Sequence, residues 1–406
     1  MDNELKDLYS DRGRSALSTR FMLGLFILKE VENLSDERVC EQWARDPYFQ
    51  YFTGEEFFQH HFPHERSDMS HWRKRIGERF DKLLQISLRV AYQTGALKLD
   101  DLKRIIVDTT VQPKNITFPT DVKLVHKSIC QLVKQAKAHN IDLRQSYLRV
   151  SKQAALMAGR YAHAKQYKRY NKALKFLKTR LGRIMRDIQR KISNNTALQE
   201  QFAPFITRAG LIKSQKKGQK GHKIYSWDEP HVECIGKGKA KNPYEFGCKV
   251  SVTTTNKRSK GEMFVIHSEA LHGNPFDGHT LLPITENVKR ITGVPIERIY
   301  VDKGYQGHDK DLQFITYKSG QKRGVHGQIK RELKRRSAIE PVIGHMKNDG
   351  HLGRNYLKGR LGDKINAIMA AVGYNFRLLI KWIKSFLQIF MQSIYKFFTP
   401  TFIKIA

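Results

Sequence analysis

The chain has 406 residues, 40% of them hydrophobic, which is enough for two or three domains and a sizeable core. Its 73 Lys and Arg outweigh 39 Asp and Glu for a formal net charge of +34, an imbalance that points to a polyanionic partner and says nothing about fold. The four cysteines, at 40, 130, 234 and 248, form no CxxC pair, and no histidines pair at zinc spacing, so neither a disulfide framework nor a structural zinc is expected and a reducing, cytoplasmic compartment is.

The basic excess is uneven. Net charge is −2 over residues 1–100, +20 over 121–220 and +14 over 303–406, so the first hundred residues are not the main phosphate-binding surface. Met1 to Arg14 alternates in charge instead of running apolar, and no signal peptide is expected there. Residues 15–100 read as helical. Leu17-Ser18-Thr19-Arg20 caps a helix carrying Phe21, Leu23, Leu25, Phe26 and Leu28, and Ser35 starts another with Val39, Trp43 and Ala44. The aromatics of Tyr48 to Phe62 form a core-building connection. Ser67 or Ser70 then opens a helix with Trp72, Ile76, Phe80, Leu83 and Leu84, whose other sides carry Arg73, Lys74, Arg75 and Arg79. Two readings of that cationic face stand side by side: a helix-turn-helix-like DNA reader, in which Arg73, Lys74 and Arg75 touch DNA, and a solvated face on a structural helix.

Arg104 to Thr110 is an apolar strand carrying an acid, Asp108, and Gln112 to Thr120, with two prolines, is a loop. From Asp121 to about Phe202 the period is helical again, with Val122, Val125, Ile129, Leu132 and Val133, then Leu174, Leu177, Leu181, Ile184 and Ile188. Long amphipathic helices so rich in basic side chains suit duplex phosphate. Lys213 to Gly221 is a flexible basic loop. Strands follow at Lys223–Trp227, Cys248–Thr255 and Glu262–His267, the last two making a hairpin, and Asp277-Gly278-His279-Thr280 turns into a helix with Leu281, Ile284 and Val288. His279 is read as a helix-start residue and not as a base. Ile299-Tyr300-Val301 is a strand ending at Asp302, 194 residues after Asp108.

Glu340 lies in the helical, cationic segment R-E-L-K-R-R-S-A-I-E-P-V-I-G-H-M-K, with Arg336 four residues before it and Lys347 seven after. Pro341 favours a helix that begins near Ser337, and Ser337-x-x-Glu340 also spells a capping box. His345 has a positioning and a structural reading. Ile365 to Phe398 is apolar but broken by Asn366, Asn375, Arg377, Lys381, Lys384, Gln388 and Gln392, which fits an amphipathic core or dimer helix and not a membrane span.

Two strand-end aspartates and a helical glutamate offer the oxygen ligands that a pair of hard divalent cations requires. No G-x-S-x-G elbow and no G-x-x-x-x-G-K-[ST] loop competes with them. The segments V-D-T-T-V-Q, Y-V-D-K-G-Y-Q-G and R-R-S-A-I-E-P-V-I-G-H-M-K resemble, in order, the three catalytic blocks of bacterial insertion-sequence DDE transposases. The last fits most of the Tyr-x2-Arg-x3-Glu-x6-Lys signature through Arg336, Glu340 and Lys347, with Leu333 in place of the tyrosine; the resemblance runs over roughly residues 15–380. It implies an RNase H-like catalytic domain in which Asp108, Asp302 and Glu340 hold two Mg²⁺ (or Mn²⁺), with Lys303, Arg336 and Lys347 at the DNA, duplex element ends and target as substrate, and a homodimer on DNA. The fold class expected is therefore α+β or α/β: a helical domain over 1–100, an RNase H-like mixed sheet over 101–380 with a basic helical insertion at about 121–220, and an amphipathic tail at 381–406. A DNA-binding protein without catalysis and a nuclease or resolvase without strand transfer are the alternatives.

Overall fold

The computed structural model describes residues 18–398 apart from 220, 237, 239–242, 258 and 308–313, with side chains up to 392. Leu17, the Met1–Arg14 segment and the end of the tail from 399 lie outside the described residues. The chain divides into two compact units, one of Met1–Pro113 with Cys248–Ala406 and one of Lys114–Gly247.

The first unit opens with helices α1 (Thr19–Val31), α2 (Asp36–Trp43), α3 (Pro47–Thr53), α4 (Asp68–Ile76) and α5 (Asp81–Gln93). Ser18 and Ser35 cap the first two by accepting from the backbone N–H groups of Phe21 and Arg38. The single helix expected through Trp72 and Leu84 is two. Gly77, at φ 58°, takes a left-handed conformation that ends α4, and a 3₁₀ turn over Gly77–Phe80 leads into α5. These helices, expected to form a domain of their own, belong to the same compact unit as the sheet.

That sheet is mixed, and the protein is α+β. Strands β1 (Arg104–Pro113), β3 (Tyr244–Thr255), β4 (Val265–Leu271), β5 (Arg298–Val301) and β6 (Ile315–Lys318) run in the order β4-β3-β1-β5-β6, while β2 (Glu233–Gly236) pairs with the outer residues of β3. β5 is parallel to both β1 and β6, and β3 and β4 form an antiparallel hairpin. The hairpin's second strand begins three residues later than its composition suggested. A bulge between Thr253 and Thr254 and the positive φ of Glu262 use up the intervening residues.

Both faces of the sheet are covered. Ile106 and Tyr300 join one apolar cluster with the amino-terminal helices, whereas their neighbours Ile105, Val107, Ile299 and Val301 join another with α10 (Leu281–Thr292). Alternation along two adjacent parallel strands thus feeds two cores, which is why both read as unbroken apolar runs. The last helix, α13 (Gly359–Phe398), is continuous through the expected tail boundary at 381. Its inner part is tied in at two points. A Cβ on Gly373 would lie 2.8 Å from the carbonyl oxygen of Glu30, so only glycine lets α13 cross α1 this closely. Asn375, fully buried, accepts from the N–H of Val265 at 2.9 Å and donates to its carbonyl at 2.8 Å and to Ser87 at 3.0 Å. Among the described residues no helix is long and apolar enough to cross a membrane.

The second unit contains α6 (Asp121–Ala138), α7 (Leu148–His163), α8 (Tyr167–Lys191) and α9 (Thr196–Ser214) around a core that includes Val125, Ile129, Leu177, Leu181, Ile184, Phe202 and Trp227. The helical run expected through residue 202 is broken where Asn140, Tyr147 and Lys165 adopt positive φ, and it continues to Ser214. Lys223–Trp227 is not a strand. The Gln215 side-chain amide takes the place of a strand partner, accepting from the N–H of Ile224 at 2.7 Å and donating to its carbonyl at 3.2 Å.

Because Asn375 satisfies both backbone groups at the head of β4, Asn375→Ala would leave two buried polar groups unpaired. It is expected to cost about 2–5 kcal/mol of stability, read as a lowered urea midpoint; a change under about 1 kcal/mol would show that the amide is dispensable.

Candidate active site

Asp108 and Asp302 are brought together by register. β1 and β5 pair as Arg104↔Arg298, Ile105↔Ile299 and Ile106↔Tyr300, a constant offset of 194, and the two acids share that offset. They therefore stand side by side on neighbouring strands, which lie about 4.8 Å apart in a sheet. Asp108 is one-fifth exposed and accepts from the N–H of Thr109 at 2.8 Å; Asp302, at the end of β5, is half exposed.

The third acid arrives on a helical segment in two pieces, α11 (Gly327–Arg335) and α12 (Ile339–Asn348), joined by a 3₁₀ turn over Arg336–Ala338. Pro341 is the third residue of α12, within the first turn, where its missing N–H costs no helical bond. The capping box does not form. Ser337 donates to the carbonyl of Lys334 instead, and Glu340 points its carboxylate to the surface.

Arg336, in the joining turn, meets all three acids. Its Nη1 lies 3.5 Å from Asp108 Oδ2, and its Nη2 lies 3.8 Å from both Asp302 Oδ1 and Glu340 Oε1. Two oxygens at that distance from one nitrogen are separated by at most twice it, so the three carboxylates converge on one guanidinium. Burial pushes the Asp108 carboxyl above its usual range, and the charges of Asp302 and Asp277 push the same way, against the lowering effects of the Thr109 N–H and Arg336.

Glu332, one turn earlier, aims this arrangement. Nearly buried, it accepts from Gln328 at 2.7 Å and from Tyr300, and pairs with Arg298 at 3.1 Å and Arg104 at 3.4 Å. Burial alone would raise its carboxyl, but these donors outweigh it and hold the group below its ordinary value. The starts of β1 and β5 are thereby fastened to α11. Leu333, in the signature's tyrosine position, packs partly buried against the core.

Behind the acids is a second polar layer. Asp277 accepts from Lys249 Nζ at 3.1 Å and from Thr109 Oγ1 at 3.2 Å, and the buried phenol of Tyr305 is raised well above its usual value by burial and by the nearby carboxylates of Asp108 and Asp277. Neither Glu332 nor Asp277 stood out in the sequence. One is an acid among many basic residues and the other looked like a turn former, so only the chain-distant partners reveal them.

The remaining candidates separate. Lys303 is exposed beside Asp302, Lys347 is half-buried on α12, and Lys74 and Arg75 are exposed on α4. Arg73 is a correction: it is buried, bonds both oxygens of Asp36 at 2.7 and 2.8 Å and lies over the Phe26 ring, so it is a core ion pair and not a DNA contact. His345 bonds Asp349 at 2.6 Å, and His279 is exposed, with its ring edge-on to Phe276.

Residues 1–75 match the family model described as a transposase domain, DUF772. Over 167 residues, 41% of this chain, the sequence is 50% identical to a protein of Rhizobium meliloti named "Uncharacterized protein ORF8 in nfe locus", of which 81% is covered. The chain belongs to that protein's family, and its amino-terminal part is a transposase domain. No solved structure matches. Within the described part of the region that matches, two polar contacts are internal: Arg73 with Asp36, and Trp43 donating to Thr53 at 2.7 Å.

The raised carboxyl of Asp108 has a stability consequence with a definite sign. Its folded value exceeds the unfolded one, so the penalty is absent below the unfolded value of about 3.9, grows as pH rises through the folded value, and is complete above it. Asp108→Asn is therefore expected to raise the melting temperature of the protein in EDTA at about pH 8, with the gain vanishing near about pH 4. Equal melting of the two proteins at both pH values would contradict this.

Proposed function

We propose that the chain is an insertion-sequence DNA transposase in which Asp108, Asp302 and Glu340 bind two Mg²⁺ (or Mn²⁺) ions, cut the element ends and join the freed 3′-hydroxyls to target DNA. The observation that carries this reading is the single guanidinium reaching three carboxylates drawn from two strands and a helix. The donor set fits the cations: all three ligands are hard oxygens, none is a thiol or imidazole, and two of them stay open to solvent where phosphate and water must enter. An antiparallel hairpin beside β1 and parallel β5 and β6 on its other side support an RNase H-like reading of the sheet.

Bound cations supply the charge that activates the attacking oxygen and stabilises the leaving oxygen in an in-line displacement at phosphorus. The protein's own groups do the rest. Asp108 and Asp302, fixed by the β1–β5 register, define the rigid side of the site, and Glu340 closes it from α12. Arg336 neutralises the acids and, with cations held by them, would be free to face the non-bridging oxygens of the scissile phosphate, with Lys303 and Lys347 on the flanking phosphates. No side chain is required to form a covalent intermediate.

The second unit grips the duplex. Its long helix α8 presents Lys168, Arg169, Lys172, Lys175, Arg183 and Arg186 to solvent. On α13 the exposed Ile383, Phe386, Leu387, Phe390 and Met391 offer a stripe for pairing two copies on DNA in the bacterial cytoplasm.

Asp302→Asn and Glu340→Gln are each expected to lower Mg²⁺-dependent cleavage of the element's own ends by about a thousandfold or more while leaving gel-shift affinity for DNA intact. Joint loss of binding and cleavage would make the acids structural. Wild-type binding without cleavage would support an inactive or domesticated protein, and cleavage without a joined product a nuclease or resolvase. The logarithm of DNA affinity should fall steeply with the logarithm of salt, and replacing Lys175 and Arg186 by Gln should flatten the slope by about one unit per lost phosphate contact. A slope unchanged by both replacements would place the DNA elsewhere.

A further inference from the structure

A second cluster of possible ligands lies in the first unit and involves none of the residues above. One side-chain atom each of Cys248, His272 and Asp363 falls within 4.8 Å of the other two, with the Cys248 sulfur 3.4 Å from His272 Nδ1. The three come from three rigid places. Cys248 is on β3, His272 follows β4 directly, and Asp363 is in the first turns of α13. The β3–β4 register pairs Lys249 with Leu271, so the next step of the same ladder sets Cys248 opposite His272, as cross-strand neighbours on one face.

Asp363 is held from two sides. Its carboxylate Oδ1 accepts from Asn355 Nδ2 at 2.7 Å, and its carbonyl accepts from Gln112 Nε2 at 2.9 Å; Gln112 in turn accepts from Asn366 at 3.0 Å. Asn355, Gln112 and Asn366 are all buried. Outer-sphere bonds of this kind orient metal ligands.

We propose that Cys248, His272 and Asp363 bind one Zn²⁺ that clamps the β3–β4 ladder to the start of α13. Thiolate, imidazole and carboxylate together are a borderline-soft set, which selects zinc over Mg²⁺ or Ca²⁺. A sulfur–nitrogen separation of 3.4 Å matches the edge of a tetrahedron whose bonds are about 2.3 Å to sulfur and about 2.0–2.1 Å to nitrogen. Charge agrees as well. Cys248 and Asp363 are buried, and a thiolate plus a carboxylate around a divalent cation is a neutral group, whereas the same two anions without it would carry a large desolvation cost. The clamp would stabilise the strand whose next residue, Lys249, holds Asp277 behind the acids, without itself touching DNA.

The test uses the full chain stripped of metal, with excess Mg²⁺ present to fill oxygen-only sites, titrated with Zn²⁺ and separately with Co²⁺ as a spectroscopic probe. One tight equivalent per chain, a higher melting temperature, and a thiolate-to-cobalt charge-transfer band that Cys248→Ser abolishes are expected. Should that variant not fold, His272→Gln is read instead, and it should weaken zinc binding at least about tenfold while Asp302→Asn leaves it unchanged. Absence of stoichiometric zinc, a cobalt spectrum lacking the thiolate band, or the same band in Cys248→Ser would overturn the proposal. The transposition chemistry can fail its own tests without affecting these readouts.

Discussion

Everything in the first unit is subordinate to the electrostatic problem at Arg336: three carboxylates held around one guanidinium. Two unit charges about 4 Å apart interact by about 4 kcal/mol at an effective dielectric of about 20. That figure does not apply equally to the three acids. Asp302 and Glu340 are more than half exposed and are screened by water, so their contacts with Arg336 are weak. Asp108 is the one that feels its neighbours, because the sheet has taken most of its water away. One acid is thus rigid and electrostatically frustrated, while two are open and able to move toward an incoming cation. On the proposed reading, a site left short of positive charge in this way would hold its drive to bind cations in Asp108.

The frustration is maintained by parts that do not move easily. β1 and β5 are covered on both faces, so a one-residue slip would exchange Ile106 and Tyr300 with Ile105 and Ile299 between two different cores. The register that sets Asp108 beside Asp302 is therefore enforced by packing far larger than the repulsion it creates. Glu332 does the corresponding job for Arg336, drawing Arg104 and Arg298 from the starts of the same strands onto α11. α13 braces the hairpin side through Asn375 and crosses α1 at Gly373, where backbone meets backbone with no side chain between. The transposase domain's helices thus belong to the body that carries the acids.

What could be read from the sequence was whatever short-range pattern specifies. Two acids at the ends of apolar runs, a glutamate in a basic helical stretch and the proline that fixes where α12 begins were all legible, because each is a statement about neighbours in the chain. The hairpin followed from the strand pattern, whereas the α+β class rested on the order of the elements together with the family resemblance. The rest required partners hundreds of residues away. Arg73 reads as a surface cation until Asp36 is placed next to it, and Glu332 reads as one acid among lysines until Tyr300 and two arginines close on it. The breaks between the insertion's helices fall at Asn140, Tyr147 and Lys165, ordinary residues in left-handed conformations, where no glycine or proline announced them. Likewise Gln215 replaced an expected strand pairing with a side-chain amide, a substitution that polarity and period do not encode.

The same limit applies to cations. Zinc is sought in sequences by close spacing because short loops bring ligands together cheaply, and by that criterion four scattered cysteines exclude it. A β-ladder removes the criterion. Once Lys249 pairs with Leu271, residues 248 and 272 are neighbours whatever the length of the turn between them, and a helix crossing the sheet can add a third ligand from any distance. One sheet can then present two unlike donor sets, hard oxygens in the middle of β1 and at the end of β5, and sulfur, nitrogen and oxygen at the far end of the hairpin. Thiolate and imidazole discriminate against the cation that phosphate chemistry needs, and an all-carboxylate site at the surface holds zinc less tightly than a buried thiolate does. On the two proposed assignments, segregating the sites by ligand chemistry would let each fill without competing for the other's ion.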